Sequence, residues 1–143
     1  VFERDTCSGE PGCVPSTVRV SVTSSGEQIA GASNSPDFVR WDGEDVPFVT
    51  AANGVGPEDT NSLADVYVRH LCPVGAADYC KAATTRVSVG VGGVQGDGAS
   101  YAPRLNHDPW GVWVVTFMSD ATNLIPGVVT TANYGCIFMS RIP

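Results

Sequence analysis

Short apolar runs that alternate with polar residues recur along the chain: DVYVRH (65–70), TTRVSV (84–89), SYAPRL (100–105) and GVWVVTF (111–117). Val, Tyr, Thr, Trp and Phe dominate them, and Gly, Pro, Asn and Asp fill the gaps. A period of two in β-branched and aromatic residues, punctuated by turn formers, predicts β-strands. No segment carries the 3.6-residue period over the roughly ten residues that a stable helix needs. The expected fold class is therefore all-β, with antiparallel strands joined by tight turns.

The same text is written twice. STVRVSVTSSGEQIAGASNSP (16–36) returns as TTRVSVGVGGVQGDGASYAP (84–103). Cys7 and Cys72 lie 65 residues apart, while Cys13/Cys80, Arg19/Arg86, Gln28/Gln95 and Pro36/Pro103 all lie 67 apart. Further on, Phe48/Phe117 are separated by 69, Asn53/Asn123 by 70 and Val66/Ile137 by 71. Each change of spacing falls among turn residues, so the insertions lengthen loops between matching strands. A period of this length, with four short strands per unit, predicts a four-stranded blade of a β-propeller or a comparable radial repeat.

Four segments carry a resemblance to a known family. SPDFVRWDGEDVPFVTAAN, APRLNHDPWGVWVVTFMSDATNLIPG, DTNSLADVYVRH and TTRVSV resemble the TolB-like, WD-repeat-like propeller repeats of bacterial secreted proteins. The resemblance implies that the S-x-x-P strand is innermost. On that strand order residues 1–143 form a single partial propeller: 1–22 end one blade, 32–89 form a complete blade, and 99–140 supply three strands of the next. Such a partial propeller is either a piece of a longer one or a subunit whose copies assemble to close a ring. The sequence departs from the family pattern at HDPWG, at Ser62, and at VTTANYGC in place of the acidic linker. The family serves binding, scaffolding and enzyme-accessory roles alike, so the resemblance speaks to fold more than to activity.

Composition narrows the class. With 43% hydrophobic and 16% charged residues, 16 Gly and 10 Pro, the chain suits a globular protein rich in turns. No apolar run reaches the roughly 18 to 20 residues of a membrane-spanning helix. Eight basic against 15 acidic residues leave a net charge of −7, which repels nucleic acid and anionic lipid. The chain opens on VFERDTC without Met, so any signal peptide is expected to have been removed or to lie upstream. Of the five cysteines, Cys7 with Cys13 and Cys72 with Cys80 enclose short loops and are expected to form two disulfides. Each is worth roughly 2 to 3 kcal/mol by loop entropy, and together they imply an oxidising, secreted or surface location. Cys136, in an apolar strand-like run, is expected to be a buried thiol, against the alternative of a bond to another segment or chain. With no C-x-x-C spacing and only two histidines, a zinc site has little support.

Candidate chemistry is sparse. The turn EDTNSLAD offers Glu58, Asp59, Asn61 and Asp65 as oxygen ligands for Ca²⁺, against turn capping by the same side chains. Trp41 beside Asp42 and Trp110 near Asp108 occupy corresponding hairpin turns, and an aromatic face with a carboxylate is the combination that recognises sugars. The competing reading packs these rings on the neighbouring unit. Trp113 is expected in strand core. The Gly-rich VGVGGVQGDG has no G-K-[ST] and reads as a turn. His70 and His107 have no G-x-S-x-G elbow near them, and no catalytic constellation is legible. The expectation is a secreted, non-enzymatic recognition or scaffold module without a cofactor, binding a glycan or a protein. The alternatives are a segment of a larger secreted hydrolase or a subunit of an extracellular fibre or coat.

Overall fold

In the computed structural model the described residues are 1–37, 44–56, 59–72, 79–108, 110, 112–128 and 135–142. They contain nine strands: β1 (Phe2–Asp5), β2 (Ser16–Arg19), β3 (Ser33–Asn34), β4 (Asp45–Thr50), β5 (Asp65–His70), β6 (Ala83–Arg86), β7 (Ser100–His107), β8 (Trp113–Ser119) and β9 (Cys136–Arg141). Every pairing is antiparallel. The helical elements among the described residues are two single 3-10 turns, Cys7–Gly9 and Val91–Gly93. The expected all-β class holds, and no helix among these residues is long and apolar enough to cross a membrane.

The strands form three sheets in chain order, β1-β2, β3-β4-β5-β6 and β7-β8-β9. Alternation decides how they pack. In the central sheet Phe48 lies opposite Tyr67 and Val49 opposite Val66, so consecutive pairs point to opposite faces. Val46, Phe48 and Tyr67 join Val20, Ile29, Ala52 and Val55 in one apolar cluster against the first sheet. Val49, Val66 and Val68 join Val87, Leu105, Val115, Phe117, Ala121 and Leu124 in a second cluster against the third. The central sheet thus buries both faces, and all six residues of β4 are buried. Each large apolar side chain so enclosed contributes about 1.5 to 3 kcal/mol.

The repetition in sequence is a repetition in geometry. Phe2 faces Arg19 as Tyr67 faces Arg86, and Asp5 faces Ser16 as His70 faces Ala83. Isolated bridges join Val22 to Gln28 and Val89 to Gln95. Thr50 Oγ1 donates to the Ala32 carbonyl at 2.9 Å and accepts from the Ala52 amide at 3.2 Å; Ser119 Oγ does the same with Ala99 at 3.2 Å and Ala121 at 3.1 Å. Phe48 stacks on Tyr67 and Phe117 on Phe138, each pair with centroids 5.8 Å apart. The Gly-rich segment is the turn expected of it. A Cβ on Gly98 would lie 2.5 Å from the Asp120 carbonyl carbon, so this glycine permits the close passage of two backbones.

Trp113 is only half-buried at the margin of the second cluster, with its ring 3.9 Å from that of His107. Cys136 is a free thiol and is likewise half-buried, more open than an apolar strand position led one to expect. It begins β9, whose alternate residues face outward.

Replacing Phe117 by Ala should lower the unfolding free energy by about 3 to 5 kcal/mol, because it removes the centre of the second cluster. Val91→Ala, at a residue 69% exposed, should change it by no more than about 0.5 kcal/mol. Urea unfolding followed by circular dichroism measures both.

Candidate functional site

The turn between β7 and β8 is built on one carboxylate. Asp108 Oδ1 accepts hydrogen bonds from the backbone amides of Trp110 and Val112, both at 2.9 Å, and Asp108 N–H donates to the Val112 carbonyl at 2.8 Å. Its other oxygen, Oδ2, pairs with the Arg141 guanidinium of β9 at 3.4 Å. An aspartate that accepts from amides two and four residues on fixes the backbone of a tight turn. The Asp108 side chain is consequently only 9% exposed, while Trp110 is 81% exposed. Trp110 projects from a turn held by Asp108, and among the described residues it does not pack on an adjoining sheet. Trp41 and Asp42, the corresponding pair in the preceding unit, lie outside the described residues.

The acidic turn has a different character. Asp59 and Asp65 are almost completely buried. The Asp59 carboxylate accepts from the Tyr67 hydroxyl and from Gln95 Nε2 at 3.2 Å, with Arg86 Nη1 at 3.9 Å. Asp65 accepts from Ser88 Oγ at 2.6 Å and pairs with the same guanidinium nitrogen at 3.4 Å. Ser88 Oγ in turn accepts from the Val66 amide at 3.0 Å. Asn61 Oδ1 caps the Leu63 amide at 2.9 Å, and its Nδ2 donates to the Gly96 carbonyl at 2.9 Å. These oxygens bind the 59–65 turn, β5 and the 86–96 segment into one buried network. Any cation there would have to displace Arg86 from two carboxylates. Glu58 lies outside the described residues.

Electrostatics follow from burial. Desolvation holds the Asp65 carboxyl above its ordinary range, outweighing the Ser88 hydrogen bond and the Arg86 charge. Desolvation and the hydrogen bond to Asp59 push the Tyr67 phenol far above its usual value. Such a group favours the neutral form in the fold.

Both expected disulfides are present, Cys7–Cys13 and Cys72–Cys80. Each has a polar neighbour at the last residue of the preceding strand. In the first loop this is Asp5, with Oδ2 3.7 Å from Cys13 Sγ. In the second it is His70, with Nε2 3.5 Å from Cys80 Sγ and Nδ1 3.0 Å from Asp45 Oδ1. These are also the clusters of three His, Cys or acidic residues found close together among the described residues, but a disulfide sulfur is not a thiolate and is not a metal ligand in this state. The Asp45–His70–Cys80 line was not legible from the sequence. The repeat does signal it, by placing His70 at the position of Asp5 immediately before the cysteine loop.

No family model, no curated protein and no solved structure matches this chain.

Tyr67→Phe should cost about 1 to 3 kcal/mol at neutral pH, because a buried carboxylate loses a donor. It should also flatten the alkaline limb of the stability curve. The unfolded tyrosine ionises from about pH 10 upward while the folded one resists, so the parent loses stability as pH rises through that range. Urea midpoints of parent and variant between neutral pH and about pH 11 give the comparison.

Proposed function

We propose that the chain is part of a secreted, non-enzymatic recognition module of propeller type that binds a glycan through the hairpin bearing Trp110. The observation that carries the reading is the exposed indole on a turn fixed by Asp108. An aromatic side chain has few torsions to lose on binding, and its face suits the C–H face of a sugar ring. The two disulfides are compatible with an extracellular setting. Asp108 serves here as the residue that positions the ring, since both of its oxygens already hold protein donors.

The radial-repeat part of the proposal rests on equivalent positions. On the central sheet Val49, Val66 and Val68 lie beneath the third sheet. Their counterparts on the third sheet are Met118, half-buried, with Ile137 at 77% and Met139 at 64% exposure. An apolar sheet face of this kind suits a further repeat laid over it. Among the described residues no closed ring is formed.

Retention on immobilised polysaccharides tests the function. Trp110→Ala should weaken retention at least about tenfold, the loss expected when a central aromatic anchor is removed, with an unchanged unfolding midpoint. Trp41→Ala, run in parallel, reports on the corresponding turn. Undiminished retention in both variants would sink the assignment of these residues. Retention that no polysaccharide supports, alongside capture of a protein, would move the reading to a protein ligand.

A further inference from the structure

We propose that the Cys72–Cys80 disulfide is a thiol-exchange site, in which His70 receives Cys80 as the leaving sulfur and Asp45 positions His70. The inference goes beyond the recognition role and depends on a contact absent from the first copy of the repeat.

His70 ends β5 opposite Asp45 at the start of β4. Its ring spans the gap between the Asp45 carboxylate, 3.0 Å from Nδ1, and Cys80 Sγ, 3.5 Å from Nε2. A carboxylate accepts hydrogen bonds, and a sulfur in a disulfide has no proton to give. Both ring nitrogens therefore face acceptors, and the two contacts form together when each nitrogen carries a proton. That form places a cationic N–H donor against one sulfur of the bond. Both cysteines and His70 are half-buried, and His70, Asp45 and Lys81 line a surface cavity of about 230 Å³.

The exchange balances without a cofactor. The thiolate of a small external thiol attacks Cys72 Sγ, a bond forms between the two sulfurs, and the Cys72–Cys80 bond breaks. Its electron pair leaves on Cys80 Sγ, where the His70 imidazolium stabilises the thiolate or transfers the Nε2 proton to it. The product is a mixed disulfide on Cys72 and a thiol on Cys80. A second external thiolate attacking the external sulfur releases Cys72 and carries away the oxidised external pair. A better-stabilised leaving thiolate departs faster.

The first loop is an internal control. There the residue equivalent to His70 is Asp5, whose Oδ1 accepts from the Cys7 amide at 2.7 Å and whose Oδ2 lies 3.7 Å from Cys13 Sγ. A carboxylate beside a departing sulfur opposes the negative charge that exchange must develop there.

The full chain, treated with reduced glutathione under native conditions, then acid-quenched, alkylated and mapped by mass spectrometry, gives the rates for both bonds. Cys72–Cys80 should open at least about tenfold faster than Cys7–Cys13, with the glutathione adduct on Cys72. His70→Asp should remove the difference, Asp5→His should accelerate opening at Cys13, and Asp45→Asn should slow the second loop in a folded variant while the Cys7–Cys13 rate stays unchanged. His70→Gln keeps a neutral donor and should fall between parent and His70→Asp. Equal opening rates in the parent, an adduct on Cys80, or a His70→Asp rate equal to the parent's in a folded variant would each overturn the proposal.

Discussion

The burial of both faces of the β3-β4-β5-β6 sheet is the constraint from which the rest of the structure follows. An antiparallel sheet with one apolar face can leave the other to water; this one has Phe48 and Tyr67 on one side and Val49, Val66 and Val68 on the other. It needs a neighbour on each side. The segment that follows β2 supplies Val20 and Ile29, and the third sheet supplies Leu105, Val115 and Phe117. Because Val20 and Val87 are equivalent, as are Phe48 and Phe117, each interface repeats the same solution one unit further along. The repeat in sequence is the expression of that interface, and it leaves Ile137 and Met139 facing out where the series stops among the described residues.

Much of this architecture was legible because its signals are local. DVYVRH (65–70) coincides with β5, and the alternation in GVWVVTF and SYAPRL lies within β8 and β7 with shifts of a few residues at the ends. Those ends are set by hydrogen bonds such as Asp108 to Val112, which alternation does not encode. The cysteine pairs were legible from their spacing, since short loops leave each cysteine few partners. What composition could not convey was how exposed a side chain would be. Trp113 and Trp110 lie three residues apart, yet one lies against His107 at the edge of the core and the other stands in solvent. The difference is that Asp108 holds the turn at Trp110 and Val112, immediately before Trp113 begins β8.

The candidate-site residues divide along the same line. Residue types suggested oxygen ligands at Asp59, Asn61 and Asp65, and only tertiary contacts reveal that Tyr67, Gln95, Ser88 and Arg86 already occupy those oxygens. Asn61 does what asparagine does in turns, capping an amide two residues on. The Asp59 carboxylate instead reaches across to Tyr67 on β5 and to Gln95.

Differences between the copies then explain why the acidic turn is present once. Tyr67 corresponds to Phe138, and both rings stack on an equivalent phenylalanine at the same separation. Only Tyr67 has a hydroxyl, and a buried hydroxyl requires a partner. In the unit with the hydroxyl, the preceding turn carries Asp59 and Asp65; in the unit with Phe138, VTTANYGC replaces it without an acid. Removing the phenol oxygen removes the need for the carboxylate that receives it, and Arg86 supplies the charge that lets both acids remain in a dry interior. The acidic turn and the tyrosine are therefore one structural device. That leaves the exposed turn at Trp110, where a carboxylate holds the turn that presents a ring to solvent, as the feature on which the proposed recognition role rests.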